Sequence, residues 1–453
     1  MNKKRIALGF LAVLVVAGGT LAYVATPTVH TGQTGESPEL GRTGAFQLGT
    51  IEAKYTMQGR SRITGWGAVT GKLEQADRTL NVRFWYPAVS ATTGEPSRYV
   101  HALKAPGQAS LTVVSDGIAI ANATPLKGQT FPLVLMSHGY GGWSTQFSNL
   151  AEHIASRGYI VASIDHQDLP VSGIGTALLS FGNVLVDRTL DQRQILAQIL
   201  AGARDKKTPY LAQIDPQAVG LIGYSMGGYG AIATAGAAYT FDSSPMSNIP
   251  KDAQTRLRDA AIQPAPIKAL VTFAPWGGQP DSRAWTAKAV ANIKVPVLLV
   301  AGNQDDVVNF KQGVSWLYDS MTGTARYMLV YREARHNIVG NDFALGKNER
   351  SAAYEFLKEP VWRSDRLNAI NQHFVTAFLD LTLKGDASKR AYLNVPTIDS
   401  NAGEWPTSFA EQLNGTLAGP EQDKYWRGFQ RRWAVGLEMH RAMAGSATVV
   451  PKQ

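Results

Sequence analysis

The chain has 453 residues, 44% hydrophobic and 17% charged, and its 44 lysines and arginines against 35 acidic residues give a net charge of +9. This length holds one large α/β domain with extensions or two modest domains. The lack of cysteine excludes disulfides, thiolate-bound metals and cysteine nucleophiles. The basic residues are scattered along the chain, which favours a solvated surface and argues against a nucleic-acid partner.

The amino terminus predicts export. Lys3-Lys4-Arg5 precede an apolar run over residues 6–16, and residues 20–22 fit a cleavage site with small residues. This order is typical of a secretory signal peptide, so residues 1–22 are predicted to be removed from a periplasmic or secreted protein. The alternative is an uncleaved membrane anchor with the rest of the chain outside the cytoplasm, since about 20 residues span a bilayer. Residues 23–50 are predicted to be a flexible lead-in.

A series of apolar runs predicts a mostly parallel sheet. Residues 78–87 alternate between polar and apolar side chains, as a strand should, and with residues 63–70 they predict an antiparallel start of the sheet. Residues 88–129 show no clear pattern. Buried strands are predicted at 132–136, 159–164, 219–222, 269–273, 295–300 and 327–331, and helices at 147–155, 186–203 and 311–320. Strands that are apolar on both faces and alternate with helices indicate a sheet covered on both sides. Residues 51–395 are therefore predicted to form the catalytic domain, with residues 396–453 packing on it as an extension.

Residues 219–230 predict a strand, a sharp turn and a helix around Ser225. The motif is Gly-x-Ser-x-Gly, and a helix of small residues follows it. A nucleophile at the tip of such a turn needs neighbours without bulk two positions away, which Gly223 and Gly227 provide. The start of the helix directs free N–H groups toward the place where an oxyanion would form. Ser225 is thus the predicted nucleophile.

A His-Gly-rich loop follows the first parallel strand. It reads Ser137-His138-Gly139-Tyr140-Gly141-Gly142-Trp143. A loop of this kind can offer a backbone N–H to the same oxyanion as the residue that follows the nucleophile. We therefore predict that the oxyanion donors are the amides of Tyr140 and Met226.

The acid and the base are predicted after later strands. Asp305, three residues after Gly302, is preferred as the carboxylate that orients the base, with Asp306 and Asp165 as alternatives. His336 directly follows the last parallel strand and is the predicted general base. The order serine, acid, histidine is that of the α/β-hydrolase fold.

A second acidic stretch, Asp165-His166-Gln167-Asp168, could suggest a metal site. Two acids and one histidine on one loop are thin support for a metal, and a hydrogen-bonded loop is the preferred interpretation. No metal or cofactor is expected.

The chain resembles bacterial α/β-hydrolases of the dienelactone-hydrolase and platelet-activating-factor-acetylhydrolase-like group, and also polyester hydrolases of the cutinase type. Residues 78–87, 137–139 and 161–168 carry the first resemblance, and residues 139–140, 224–228, 274–276 and 304–305 carry the second. The resemblance covers residues 79–383, with 378–385 as the closing helix. It implies a serine esterase that uses Ser225, Asp305 and His336. A serine replaces the cysteine nucleophile of dienelactone hydrolases, which argues against that substrate.

The expected function is hydrolysis of carboxylic esters through an acyl-enzyme, with a small-molecule ester as the substrate. Tyr140, Trp143 and Trp276 fall in loops beside Ser225 and are predicted to bind substrate, which favours short acyl or aromatic esters. Two alternatives are an amidase or peptidase with the same triad and a non-catalytic binding protein with the same fold.

Overall fold

The computed structural model describes residues 38–64, 73–90, 94–103, 111–169, 174–262, 265–345, 351–405, 424–430 and 433–446. The predicted leader, residues 1–22, and the lead-in as far as residue 37 lie outside these ranges. No helix within the described ranges is both long enough and apolar enough to cross a membrane.

The described residues build one sheet of eleven strands in the order β11-β10-β9-β8-β7-β5-β6-β2-β1-β4-β3. The strands are β1 (Leu48–Arg62), β2 (Glu74–Pro87), β3 (Pro96–Leu103), β4 (Leu111–Ala121), β5 (Phe131–Ser137), β6 (Ile160–Asp165), β7 (Ile214–Tyr224), β8 (Ala269–Phe273), β9 (Val297–Gly302), β10 (Arg326–Tyr331) and β11 (Leu437–Ala442). The six strands from β6 to β10 in this order are parallel to their neighbours. At the two ends of this parallel block, β2 pairs antiparallel with β6 and β11 pairs antiparallel with β10.

Helices cover both faces of the sheet, and almost every side chain of its central strands is therefore buried. They are α1 (Ser148–Ser156), α2 (Ile174–Asp205), α3 (Met226–Thr234), α4 (Lys251–Ile262), α5 (Ala287–Val290), α6 (Ser315–Ser320), α7 (Ser351–Leu357), α8 (Ser364–Leu383) and α9 (Arg390–Leu393). Helices α2, α3 and α4 contact one another, and α1 contacts α8. The predicted fold class is confirmed: this is a mostly parallel sheet between helices.

The structure corrects the predicted start of the sheet. The strand that precedes β2 and pairs antiparallel with it is β1, which ends at Arg62. The predicted strand at residues 63–70 is therefore wrong for residues 63–64, and its remainder lies outside the described residues. The lead-in predicted for residues 23–50 overlaps β1 by three residues, and Leu40 is buried. Residues 88–129 contain β3 and β4.

The predicted carboxy-terminal extension contributes to the sheet itself. Strand β11 pairs with β10 along its whole length, from Arg326 opposite Ala442 to Tyr331 opposite Leu437. Trp426 and Phe429, which precede β11, pack on Phe374 of α8. The described part of residues 396–453 therefore completes one edge of the fold.

The order of the strands reverses direction beside β5. This strand lies between β6, which follows it in the chain, and β7, which follows later on its other side. The loops after β5 and β7 therefore leave the sheet in opposite directions, and ligands in open α/β sheets bind at such a reversal. Because these strands are parallel, the carboxyl ends of β5, β7, β9 and β10 all lie at the same end of the sheet.

Candidate active site

Ser225 sits alone between strand β7 and helix α3 in a strained backbone conformation. Its φ is 51° and its ψ is −114°, values that a residue with a side chain rarely adopts. Its N–H donates to the carbonyl of Phe273 at 2.9 Å, and its carbonyl accepts from Tyr229 at 3.0 Å and from Trp276 at 3.1 Å. Backbone strain of this kind persists where the surroundings fix both sides of the residue, and it concentrates at functional sites.

The glycines of the turn are required by close contacts. A Cβ at Gly227 would lie 2.0 Å from the carbonyl oxygen of Ser137, at the end of β5. A Cβ at Gly223 would lie 2.4 Å from the carbonyl oxygen of Gly227. The turn is thus packed against the neighbouring strand so closely that any side chain at these two positions would displace Ser225.

The structure brings Ser225, His336 and Asp305 together in hydrogen-bonding geometry. His336 Nε2 lies 3.1 Å from Ser225 Oγ, and His336 Nδ1 lies 2.8 Å from Asp305 Oδ2. A carboxylate can only accept, so Nδ1 carries the proton and Nε2 is left to accept from the serine hydroxyl. This is the tautomer in which a histidine can remove a proton from a serine.

The two adjacent aspartates have different surroundings. Asp305 is 3% exposed, and its second oxygen, Oδ1, accepts from the amides of Val307 at 3.0 Å and Val308 at 3.1 Å. Asp306 points outward and forms an exposed ion pair with Arg335. Of the two carboxylates, only Asp305 contacts the His336 ring, which supports the preference stated from the sequence.

Tyr224 and Asn337 support the imidazole. Tyr224 precedes the nucleophile and was expected from the sequence as an aromatic residue beside Ser225, whereas Asn337 was not singled out. The Tyr224 ring lies 5.2 Å from the His336 ring, and its hydroxyl contacts Asn337 Oδ1 at 3.2 Å. Burial, together with the nearby Asp305 carboxylate, raises the pKa of Tyr224, so this hydroxyl stays protonated. Asn337 in turn donates to the carbonyl of Glu355, in α7, and to that of Lys358, the residue after this helix.

The amides predicted as oxyanion donors belong to the residue after the nucleophile and to the loop after β5. Met226 is the first residue of α3, so its N–H has no partner within the helix. Tyr140 lies in the turn after β5, and its N–H makes no hydrogen bond to another described residue. A Cβ at Gly139, the residue before Tyr140, would lie 3.3 Å from Ser225 Cβ. These contacts place Tyr140 and Met226 near Ser225, and their role as oxyanion donors stays a prediction.

Three aromatic rings form a row beside Ser225. The Tyr140 ring lies edge-on to Phe181 of α2 at 5.9 Å, and Phe181 lies edge-on to Trp276 at 5.4 Å. The backbone of Trp276 is bonded to the carbonyl of Ser225, which places the row next to the nucleophile. Phe181 was not identified from the sequence, because it lies inside a helix and no motif marks it.

Trp143 has different neighbours from the other two predicted aromatic residues. Its ring is 3% exposed, stacks on His101 at 4.3 Å and lies 5.7 Å from Phe343. Its ring contacts within the described residues do not include Tyr140 or Trp276. Substrate binding by Trp143 thus stays a prediction without a contact to the aromatic row.

The acidic stretch after β6 is a hydrogen-bonded loop. His166 lies between Ser137 Oγ at 2.7 Å and Asp191 Oδ2 at 2.9 Å, and Asp168 pairs with Arg188. Burial first, and then the Arg188 charge, lower the pKa of His166 to about 4. The described residues contain no group of three His, Asp or Glu side chains arranged to hold a metal ion.

Two family profiles match the chain over overlapping ranges. Residues 42–179 match "Platelet-activating factor acetylhydrolase, isoform II", and residues 145–361 match "Prolyl oligopeptidase family". With the sheet order and the strand-turn-helix at Ser225, these matches decide the fold. The chain has the α/β-hydrolase fold.

This α/β-hydrolase is also similar to curated platelet-activating factor acetylhydrolases over a short stretch. It is 44% identical over 46 residues to the protein from Canis lupus familiaris, covering 10% of each chain. It is 41% identical over 46 residues to that from Cavia porcellus, covering 10% of this chain and 11% of the relative. The chain spans about a tenth of the length of the curated relatives it matches.

Among solved structures, the α/β-hydrolase is similar to a ferulic acid esterase from Streptomyces cinnamoneus. The TM-score is 0.49 and the sequence identity is 20%, with 75% of this chain and 91% of the other covered.

Proposed function

We propose that this α/β-hydrolase is a serine hydrolase that cleaves carboxylic esters. The observation that carries the proposal is the hydrogen-bonded chain from Ser225 Oγ through His336 to Asp305, with distances of 3.1 Å and 2.8 Å. The match of residues 42–179 to an acetylhydrolase family supports an ester as the substrate.

In this reaction Ser225 Oγ attacks the ester carbonyl while His336 Nε2 takes its proton. Asp305 holds the imidazole in the required tautomer and stabilises the imidazolium. The amides of Tyr140 and Met226 donate to the oxyanion of the tetrahedral intermediate. His336 then returns the proton to the leaving alkoxide, and water releases the acid from the acyl-enzyme in a second round of the same steps. No step requires a metal or a cofactor.

Labelling with a fluorophosphonate probe tests this proposal. Only an activated serine reacts with such a probe, so the wild-type protein should be labelled and Ser225→Ala should not. The same two proteins should differ in hydrolysis of p-nitrophenyl acetate. A folded wild-type protein that neither labels nor hydrolyses would instead support a non-catalytic binding protein.

For the substrate we propose short acyl chains, from acetate to butyrate, or aromatic acyl groups. The support is the row of Tyr140, Phe181 and Trp276 rings beside Ser225. Aromatic walls bury much of a flat or short group with few rotatable bonds. Rates on p-nitrophenyl acetate, butyrate, octanoate and palmitate at equal concentration measure this preference. A maximum at palmitate would require a deep acyl tunnel and would contradict the proposed wall.

An amidase or peptidase is the second candidate, because residues 145–361 match the prolyl oligopeptidase family. Ester and amide hydrolysis use the same triad, so the triad geometry does not separate them. Paired ester and anilide substrates with the same acyl group do. For each substrate, the rate enhancement is the enzymatic rate divided by the uncatalysed rate. We expect this enhancement to be larger for the ester than for the anilide. An equal or larger enhancement for the anilide would favour the amidase.

We further propose that the protein acts outside the cytoplasm. The basic and apolar order of residues 3–16 and the small residues up to Ala22 support a cleaved leader. Amino-terminal sequencing of the exported protein should give a start near Tyr23. An intact Met1 in the membrane fraction would identify an anchored protein instead.

A further inference from the structure

A buried ion pair lies behind the loop that carries Tyr140. Arg188, on α2, has no exposed side-chain surface and contacts Asp168 twice, at 2.7 Å between Nη1 and Oδ1 and at 2.6 Å between Nη2 and Oδ2. Burial alone would raise the pKa of Asp168, but the Arg188 charge outweighs it and holds this pKa well below its usual range. Burying two charges is costly unless both make further good contacts.

Those further contacts lie on both sides of Tyr140. Arg188 Nη2 also donates to the carbonyl oxygen of Gly139 at 3.0 Å, and Asp168 Oδ2 accepts from the amide of Gly141 at 2.8 Å. The Gly139 carbonyl accepts from two groups of its own loop as well, His138 Nδ1 at 2.7 Å and the Gly142 amide at 3.3 Å. The loop contacts shape the turn, while Arg188 and Asp168 tie it to helix α2.

The Arg188 contact fixes the direction of the Tyr140 N–H. The carbonyl of Gly139 and the N–H of Tyr140 belong to one peptide group, which is trans. In a trans peptide these two groups point in opposite directions. With the carbonyl held toward Arg188, the N–H is directed away from it. Gly139 itself lies against the Ser225 side chain, so a rotation of this peptide would change where the Tyr140 N–H points relative to the reacting carbon.

The same arginine is packed against the helix that carries the other donor. A Cβ at Gly230, on α3, would lie 2.8 Å from Arg188 Cβ, so the base of the arginine side chain packs directly on α3. Met226 begins that helix. One side chain therefore contacts both the loop that supplies the Tyr140 amide and the helix that supplies the Met226 amide.

We propose that Arg188, together with Asp168, is the positioning pair that sets the oxyanion hole of this enzyme. The inference rests on the proposed ester hydrolysis and assigns to this pair no contact with substrate. Its role is to hold the Gly139–Gly141 turn so that the Tyr140 amide and the Met226 amide converge on one oxygen atom. Such a role affects the transition state, where the negative charge develops, more than the bound substrate.

The test compares Arg188→Lys with a matched substitution of another buried arginine. Lysine keeps the positive charge for Asp168 but has one nitrogen in place of the planar fork that reaches both Asp168 and Gly139. Arg60→Lys is the control, because Arg60 is also buried and pairs with Asp187 at 2.6 Å and Asp191 at 2.7 Å, without contacting the turn. Asp168→Asn is a second variant, which weakens the pair from its other side.

We expect kcat for p-nitrophenyl acetate to fall about 10- to 100-fold in Arg188→Lys, since small misplacements of catalytic groups have effects of this size. KM should change less than threefold, and the affinity of a trifluoromethyl ketone, whose adduct carries the oxyanion, should fall by the same factor as kcat. Arg60→Lys should lower the melting temperature by a similar amount while keeping kcat. Asp168→Asn should act like Arg188→Lys.

Two results would overturn the inference. One is a folded Arg188→Lys protein with wild-type kcat and inhibitor affinity. The other is a loss of kcat in Arg60→Lys equal to that in Arg188→Lys, which would mean that both arginines act through stability alone. An inactive wild-type protein would instead remove the proposed function itself, so the two failures are distinguishable.

Discussion

Ser225 owes its place to backbone contacts and to the absence of side chains around it. Its positive φ is costly, and three backbone hydrogen bonds together with the close approach of Gly227 to Ser137 hold it there. The side chain is then free to interact with His336. The strain and the geometry of the proposed triad therefore arise from the same turn.

The first prediction concerns the three residues of the proposed triad. Ser225→Ala and His336→Ala should each lower kcat for p-nitrophenyl acetate by about 10⁴-fold or more, because they remove the nucleophile or the base. Neither change opens a cavity inside the sheet, so the circular dichroism spectrum and the melting temperature should stay close to wild type. Full activity in either variant would contradict the proposed roles.

The second prediction separates the two aspartates. Asp305→Asn should lower kcat by about 10³- to 10⁴-fold, because an amide can stabilise the wrong tautomer of His336 and cannot balance the imidazolium charge. Asp306→Asn should lower kcat less than about threefold, since its exposed pair with Arg335 is of a kind that contributes little. Steady-state kinetics on both proteins decide the assignment. A larger loss in Asp306→Asn would make Asp306 the acid.

At the scale of elements, strands were predictable where they were apolar throughout. Strands β5 to β10 each overlap one of the predicted apolar runs, and the predicted catalytic residues lie in the turns and loops that follow β7, β9 and β10. Helix α2 was predicted to begin at residue 186 but begins at Ile174. Buried polar side chains such as Asn183 and Asp187 interrupt its apolar pattern. The Arg188 and Asp168 contacts could not be predicted, because the two residues are far from Tyr140 in sequence and only the fold brings them together.

The third prediction tests the aromatic row between α2 and the loop after β8. Trp276→Leu should lower kcat/KM for p-nitrophenyl acetate by an amount that corresponds to an activation free energy about 1–3 kcal/mol higher, the range expected for altered hydrophobic pocket contacts. Trp143→Leu is the matched control, since Trp143 is also buried but contacts His101 and Phe343. It should lower the melting temperature while leaving kcat/KM within about twofold. An equal loss of kcat/KM in Trp143→Leu would mean that Trp143 also contributes to substrate binding.

In the complete fold, the edge of the sheet formed by β11 was the least predictable part. Strand β11 contains Glu438 and His440, which are buried and lie 3.0 Å apart, and Glu438 also pairs with Arg332 at 2.8 Å. A polar pair inside a six-residue strand hides the apolar pattern of Leu437 and Met439. The sequence therefore predicted an extension where the structure has an edge strand.

The fourth prediction tests whether this edge strand supports the fold. Met439 is 1% exposed and lies opposite Leu329 of β10, whereas Arg441 on the same strand is exposed. Met439→Asp should lower the free energy of unfolding by at least about 3 kcal/mol, because it buries an unpaired charge. Arg441→Asp should change it by less than about 1 kcal/mol. Urea unfolding measures both, and equal values would mean that β11 is dispensable.

The fifth prediction is that buried histidines make the stability of the protein depend on pH. Burial lowers the pKa of His153 and of His373 to about 3, and that of His166 to about 4, from 6.5. Below pH 6.5 the unfolded chain takes up protons at these rings while the native protein does not. The native state therefore binds fewer protons between about pH 6.5 and pH 4, and the free energy of unfolding must fall as the pH is lowered. Each such histidine contributes up to about 1.4 kcal/mol per pH unit.

His373 offers a direct test of this pH dependence. Its Nδ1 accepts a hydrogen bond from the amide of Leu40 at 3.1 Å, and protonation of that nitrogen would break the bond. Asparagine can accept the same bond without taking up a proton, so His373→Asn should lose stability at pH 7 through its smaller volume yet show a shallower decline between pH 6.5 and pH 4. Phe374→Leu, at the neighbouring buried position, should lose stability at pH 7 and keep the wild-type slope. Melting temperatures measured at half-unit steps of pH give the slopes, and an unchanged slope in His373→Asn would mean that this ring takes up its proton at the same pH in the native and the unfolded protein.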